Sequence, residues 1–216
     1  MTKVKFCGLR RPQDAAHAAS LGATYGGVIF TDSKRQISPR QAREVFDVAQ
    51  SLTRVGVVGR EKIAHVLRMA SEANLDVLQL HGHYSPDEHS QLRQEFDGEI
   101  WSVIAVDADT AEPSASWKDL ADFSDALLLD TGAAGRTGGT GKPFDWARAA
   151  PLVHDISREI PVILAGGLNP ENVGRAVEIL HPSVVDVSSG VEVSPGVKSP
   201  ELMTAFARSV VSASIV

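Results

Sequence analysis

The chain is poor in cysteine, in positive charge and in long apolar runs, and each shortage removes a class of protein. Cys7 is the one cysteine in 216 residues, so an internal disulfide is impossible and a reducing compartment is the natural setting. Acidic residues number 27 against 21 basic, a net charge of −6, which argues against a general nucleic-acid or anionic-membrane binder. An anionic ligand must therefore be held by local donors and not by the overall field. No stretch approaches the ~20 apolar residues of a membrane span. The opening MTKVKFCGLRRPQDAA has a very short apolar run followed by charges, unlike a secretory signal, so the expected location is the cytoplasm. Linkers and low-complexity segments are missing too, which leads to the expectation of one domain, 1–216, large enough for a full core. No GxGxxG follows the first apolar run. The glycine-rich stretch at 130–146 fails the Walker pattern as well: Arg136 stands where its first glycine should be, and Pro143 follows Lys142. No cofactor is expected.

What is present is alternation. Eight short runs, VKFC, YGGVIF, RVGVV, DVLQL, IWSVIAV, ALLLD, PVILA and VVDVS, are almost continuously apolar, as strands buried on both faces must be. Helix-start chemistry lies between them. Ser38-Pro39, Ser85-Pro86, Asn169-Pro170 and Ser199-Pro200 each place a capping residue before a proline suited to the first helical position. Ser85 and Glu88 have capping-box spacing, and QAREVFDVA and ENVGRAVEIL repeat apolar residues at helical intervals. Eight strand–helix units leave about 27 residues each, which leaves little room for a second domain. The spacing predicts an α/β fold, a single (β/α)8 TIM barrel, with a short or irregular fifth helix in AVDADTAEPSASWKD.

Barrels carry their chemistry at the C-terminal ends of the strands. There the sequence puts Cys7, Arg35, Gln79, His81, Asp130, Gly166, Gly167, Ser188, Ser189 and Gly190. Cys7 taken alone reads as a small buried apolar residue, and Asp130 as a carboxylate satisfying loop amides. Together, on well-separated strands of one mouth, they form a candidate acid/base pair. LAGGLNPENV and DVSSGVE end the last two strands, where barrels often bind phosphate through backbone N–H groups. Gly166, Gly167, Ser188, Ser189 and Gly190 are thus candidate phosphate donors. His81, His83 and His89 offer a His-x-His spacing but no converging ligand set, so no metal is expected. The long glycine loop with Gly139 and Gly141 reads as a functional loop, because loops of that length are uncommon inside compact domains.

The pieces VKFCGLRRPQDA, SKRQISP, LDVLQLHG, LLLDTGAAGRTGGTGKPFDW, LAGGLNPENV and VDVSSGVE resemble, in order, the phosphoribosylanthranilate isomerase family of tryptophan biosynthesis. The Asp–GGTGK–FDW block together with an N-terminal K-x-CG is the specific part. The resemblance implies an Amadori rearrangement of N-(5-phosphoribosyl)anthranilate to 1-(2-carboxyphenylamino)-1-deoxyribulose 5-phosphate, without a cofactor. It implies Asp130 as general acid, Cys7 as general base, Arg35 as a substrate contact plausibly at the anthranilate end, and Gln79, His81, Gly139 and Gly141 as further substrate contacts. The glycine loop would close over the substrate. The implied partner is a small phosphorylated molecule, with neither nucleic acid nor membrane, and the implied assembly a monomer or homodimer. The site is expected to lower the pKa of Cys7 from about 8.5 and to raise that of Asp130 from about 3.9. The related histidine-pathway isomerase, or a dual-substrate form, is the nearest alternative; that family has an aspartate where this chain has Cys7. A non-catalytic phosphosugar-binding barrel is the alternative of another class.

Overall fold

A computed structural model of the chain describes residues 1–133, 136–137 and 143–214, with Ala133, Arg136 and Thr137 described in backbone only. Eight parallel strands, β1 (Lys3–Phe6), β2 (Tyr25–Ile29), β3 (Thr53–Val58), β4 (Val77–Leu80), β5 (Glu99–Asp107), β6 (Ala126–Ala133), β7 (Val162–Leu164) and β8 (Val184–Val187), follow the eight predicted runs. They pair in the order β5-β4-β3-β2-β1-β8-β7-β6, and β5 pairs with β6 to close the barrel. The (β/α)8 fold expected from the sequence is the one observed.

The eight helices are α1 (Pro12–Ser20), α2 (Pro39–Asp47), α3 (Ile63–Ala73), α4 (Pro86–Glu95), α5 (Trp117–Ala121), α6 (Trp146–Ser157), α7 (Val173–Leu180) and α8 (Pro200–Ala213). Ser38 with Gln41, and Ser85 with Glu88, form reciprocal capping boxes ahead of a proline, which satisfies donors that the first helical turn leaves open. Ser199 caps α8 by accepting from the Leu202 amide. Asn169 behaves differently from expectation. Its side chain accepts from the Glu171 and Asn172 amides, making an Asx-type turn, and α7 starts only at Val173. The fifth helix spans five residues, as its composition predicts. Among the described residues no helix is long and apolar enough to cross a membrane.

Period-two alternation divides the core in two. Residues pointing outward from the strands, such as Phe6, Leu127, Leu129 and Val185, pack under the helices; Phe6 meets Phe206 of α8 with ring centroids 6.1 Å apart. Inward residues Tyr25, Val55, Val77, Trp101, Ala126, Leu128, Ile163 and Val184 fill the barrel's lower interior, where Tyr25 and Trp101 meet edge to face at 4.9 Å. Following the same faces upward gives Val77–Gln79–His81, Ala126–Leu128–Asp130 and Val184–Asp186–Ser188. Each of these three strands thus changes from apolar to polar as it reaches the mouth, and that change positions the site.

Candidate active site

At the C-terminal mouth a cavity of about 400 Å³ is lined by Cys7, Arg35, Gln79, His81, Asp130 and Ser188, among others. Six residues singled out in the sequence therefore share one space. Gly166, Gly167, Ser189 and Gly190 do not line it. They form the two turns beside it, beyond Ala165 and Ser188, which do. Gly139 and Gly141, and with them the central part of the glycine loop, lie outside the described residues. Near the start of that loop, Gly132 pairs antiparallel with Thr137 and Ala133 with Arg136.

The two turns touch. A Cβ on Gly190 would stand 1.9 Å from the Leu168 carbonyl oxygen, so the turn after β8 presses its backbone onto the turn after β7. Gly166 and Gly167 have φ of 88° and 66°, a region that suits glycine. A Cβ on Gly166 would also meet Thr131 Oγ1 at 2.3 Å. Asn172 Nδ2 donates to the Gly167 carbonyl at 2.9 Å, and Asn172 Oδ1 accepts from the Asn169 amide at 2.8 Å. The first turn is thereby held rigid. The Ser188 and Thr131 hydroxyl oxygens are buried and make no hydrogen bond within the described residues.

Asp130 stands on the inward face of β6, in its C-terminal half. Burial, reinforced by the negative Asp186, pushes its carboxyl up to about 7, against the opposing effects of the Thr131 amide and Lys5. The sequence-based expectation of a raised acid agrees in direction. Cys7 departs from expectation: burial raises its thiol above the ordinary value, and Lys5 and Lys198 only partly offset this while Asp186 adds to it. The sequence could not supply that result, because it depends on how much water the closed barrel excludes.

Several polar residues at the site were given no role in the sequence reading. Lys5 is fully buried; its Nζ donates to Asp186 Oδ2 at 2.7 Å and to Gln79 Oε1 at 2.9 Å. Arg35 grips Glu192 in a two-pronged contact, Nε to Oε1 at 2.8 Å and the second prong to Oε2 at 2.7 Å. Buried Lys198 donates to the same Glu192 at 2.9 Å and to the Ser188 carbonyl at 3.0 Å. Burial works against ionised Glu192, but the Arg35 and Lys198 contacts outweigh it and hold the carboxyl below its usual range. A signal for two of these groups was available. Lys5 and Asp186 are the charged residues inside otherwise apolar runs, each two positions before a site residue, hence on the same strand face.

Fold and site together define a (β/α)8 barrel whose mouth carries a thiol and a carboxyl of displaced acidity beside two backbone-rich turns. The family model described as N-(5'phosphoribosyl)anthranilate (PRA) isomerase matches residues 4–209. The N-(5'-phosphoribosyl)anthranilate isomerase of Haloferax volcanii is 40% identical over 210 residues, covering 95% of this chain and 91% of that one. The crystal structure of the phosphoribosyl anthranilate isomerase of Thermotoga maritima superposes with a TM-score of 0.84 at 31% identity, over 98% of this chain and 100% of that one. A phosphoribosyl anthranilate isomerase in complex with reduced 1-(o-carboxyphenylamino)-1-deoxyribulose 5-phosphate gives a TM-score of 0.80 at 30% identity, with the same coverage. The chain belongs to the N-(5'-phosphoribosyl)anthranilate isomerase family.

Proposed function

We propose that this barrel, as one domain acting as a monomer or homodimer in the cytoplasm, converts N-(5'-phosphoribosyl)anthranilate to 1-(2-carboxyphenylamino)-1-deoxyribulose 5-phosphate, with Asp130 as general acid and Cys7 as general base. The observation that carries the reading is the pair itself: a carboxyl that keeps its proton up to about pH 7 and a thiol, on strands β6 and β1, lining one cavity. Asp130 gives its proton to the ribose ring oxygen as the C1–oxygen bond breaks, leaving a protonated Schiff base. The Cys7 thiolate takes the proton from C2, and an uncharged enolamine forms. The enolamine gains a proton at C1 and loses the one on its C2 hydroxyl, giving the ketone. Return of a proton from the thiol to the Asp130 carboxylate restores the resting state. Gly166, Gly167, Ser188, Ser189 and Gly190 hold the phosphate, and Arg35, Gln79, His81, Gly139 and Gly141 contact the rest of the substrate.

The test is turnover of freshly generated phosphoribosylanthranilate, followed by loss of anthranilate-type fluorescence, with product affinity measured alongside. Cys7→Ser and Asp130→Asn are each expected to lose on the order of 10²–10⁴-fold in turnover while still binding product. Turnover close to wild type in either variant removes that residue from the mechanism. Lost affinity with turnover preserved at saturation reassigns the residue to binding.

A further inference from the structure

The base of this mechanism sits in a place that disfavours it. A thiolate needs either water or a counter-charge, and Cys7 is 6% exposed. Three cations face it. Arg35, from the loop after β2, is gripped by Glu192. Lys198, after β8, is divided between Glu192 and the Ser188 carbonyl. Lys5 lies on the same strand as Cys7, two residues earlier and so on the same inward face. An ammonium has three N–H donors. Lys5 directs one to Asp186 and one to Gln79, and its positive charge acts on the neighbouring Cys7 thiol. The place where a Gly27 Cβ would sit is 3.0 Å from the Cys7 sulfur and 3.2 Å from Lys5 Cε, so a glycine on β2 leaves room for the two side chains to lie together. Among the described residues, the remaining charged group acting on the sulfur is Asp186 of β8; Asp130 of β6 and His81, beyond β4, line the same cavity.

We propose that Lys5 is a positioning residue for the base: its buried ammonium supplies the counter-charge that lets Cys7 exist as a thiolate in the closed mouth, and Asp186 limits how much of that charge the sulfur receives. The inference rests on Cys7 acting as base. Asp186 binds the ammonium through Oδ2, while its Oδ1 has no partner among the described residues. Asp186 therefore draws the ammonium and adds a negative charge beside the sulfur. The two residues should act on Cys7 with opposite sign. Burial alone would drive Lys5 to lose its proton, but Asp186 and Cys7 outweigh it and hold the ammonium charged above its ordinary range.

The chain's single cysteine makes the test direct, because thiolate ultraviolet absorbance and the iodoacetamide alkylation rate, followed against pH in the resting protein, both report Cys7. Lys5→Met is expected to raise the thiol midpoint by about one pH unit or more, with about a tenfold slower alkylation at a fixed pH below the midpoint. Asp186→Asn is expected to lower the midpoint. The double variant Lys5→Met/Asp186→Asn removes both buried charges, so it avoids an unpaired carboxylate; its midpoint should remain above wild type. If Lys5→Met alone does not fold, the Asp186→Asn and double variants decide. In turnover, the high-pH limit of the double variant's profile should move upward with the thiol midpoint, which a purely structural role would not produce. A thiol midpoint unchanged in the double variant, or raised by Asp186→Asn, overturns the proposal. Because the titration needs no substrate, it is separate from the acid/base reading, which fails instead if Cys7→Ser retains turnover.

Discussion

The two ends of this barrel treat their polar groups in opposite ways. At the N-terminal end, Asp76 takes both prongs of Arg54 at 2.8 and 2.6 Å and the Arg54 amide at 2.8 Å. Asp125 accepts from Arg93 at 2.7 Å and from the Ile100 amide at 2.8 Å, and Trp101 Nε1 is satisfied by Glu99. At the mouth, Asp186 Oδ1, Ser188 Oγ and Thr131 Oγ1 are buried with no partner among the described residues, and Asp130 holds a proton that an exposed carboxyl would have lost. Buried polar groups are almost always paired. A concentration of incomplete pairing at one end therefore marks where hydrogen-bonding capacity is held for a ligand, while the pairing of Asp76, Asp125 and Trp101 at the other marks a surface built for stability.

Glu192 is the exception that sharpens the contrast, since it is a fully used acceptor at the mouth. Its side chain is 4% exposed, and Lys198 beside it is wholly buried. Glu192→Gln keeps the shape but leaves the Lys198 ammonium without its counter-charge, a change expected to cost on the order of 3 kcal/mol. Urea unfolding should show a lower midpoint at an unchanged slope. Arg35 loses its anchor in the same variant, so KM should rise more than kcat falls. Unchanged stability would mean that the mouth does not depend on this cluster, and the contrast between the two ends would have to be redrawn.

A second test uses the proton on Asp130. Its carboxyl has a raised constant in the folded protein, about 7 against an ordinary 3.8, so the folded state binds this proton more tightly than the unfolded chain does. The contribution to stability is complete below the unfolded value of about 4 and is lost as pH rises through about 7. Asp130→Asn cannot ionise and avoids that loss. The variant should therefore be more stable than wild type above pH 7, by up to a few kcal/mol, and the difference should shrink toward zero below pH 4. Thermal unfolding midpoints across this range check it. A difference independent of pH would show that the carboxyl is not held protonated by burial.

Much of this architecture was legible in the sequence because it follows from local patterns. Eight two-sided apolar runs fixed the strands, serine–proline pairs marked the starts of α2, α4 and α8, and the position of Cys7, Asp130 and Ser188 just past apolar runs put them at the mouth. Asn169 misled because an asparagine before proline serves an Asx turn as readily as a helix cap, and only the partners of its side chain tell the two apart. Lys5, Glu192 and Lys198 were missed for a different reason. Their roles depend on partners from 10 to 181 residues away, Asp186, Gln79, Arg35 and Ser188, brought close by barrel closure. The displaced acidity of Cys7 was unreadable for the same cause, since desolvation and three charges from separate segments combine in it.

The smallest expected effect tests the N-terminal end. Arg54→Ala removes two side-chain hydrogen bonds to Asp76, but the Arg54 backbone amide still donates to the carboxylate, so the charge is not stranded. Both side chains reach solvent, at 30% and 39% exposure, which weakens the pair by screening. A loss of about 1 kcal/mol is expected. Burial opposes ionisation of Asp76, yet the Arg54 side chain and amide lower its constant below the ordinary carboxylate value. The contribution is therefore present above the unfolded constant and disappears as pH falls through the folded one. Urea unfolding at neutral pH should resolve the loss, and the same measurement in acid should find wild type and variant closer together. The kcat/KM of Arg54→Ala should equal that of wild type, because the barrel's apolar lower interior separates Arg54 from Cys7 and Asp130. A fall in kcat/KM without a larger loss of stability would mean that the two ends are mechanically coupled, and the division between a stabilising end and a reactive one would not hold.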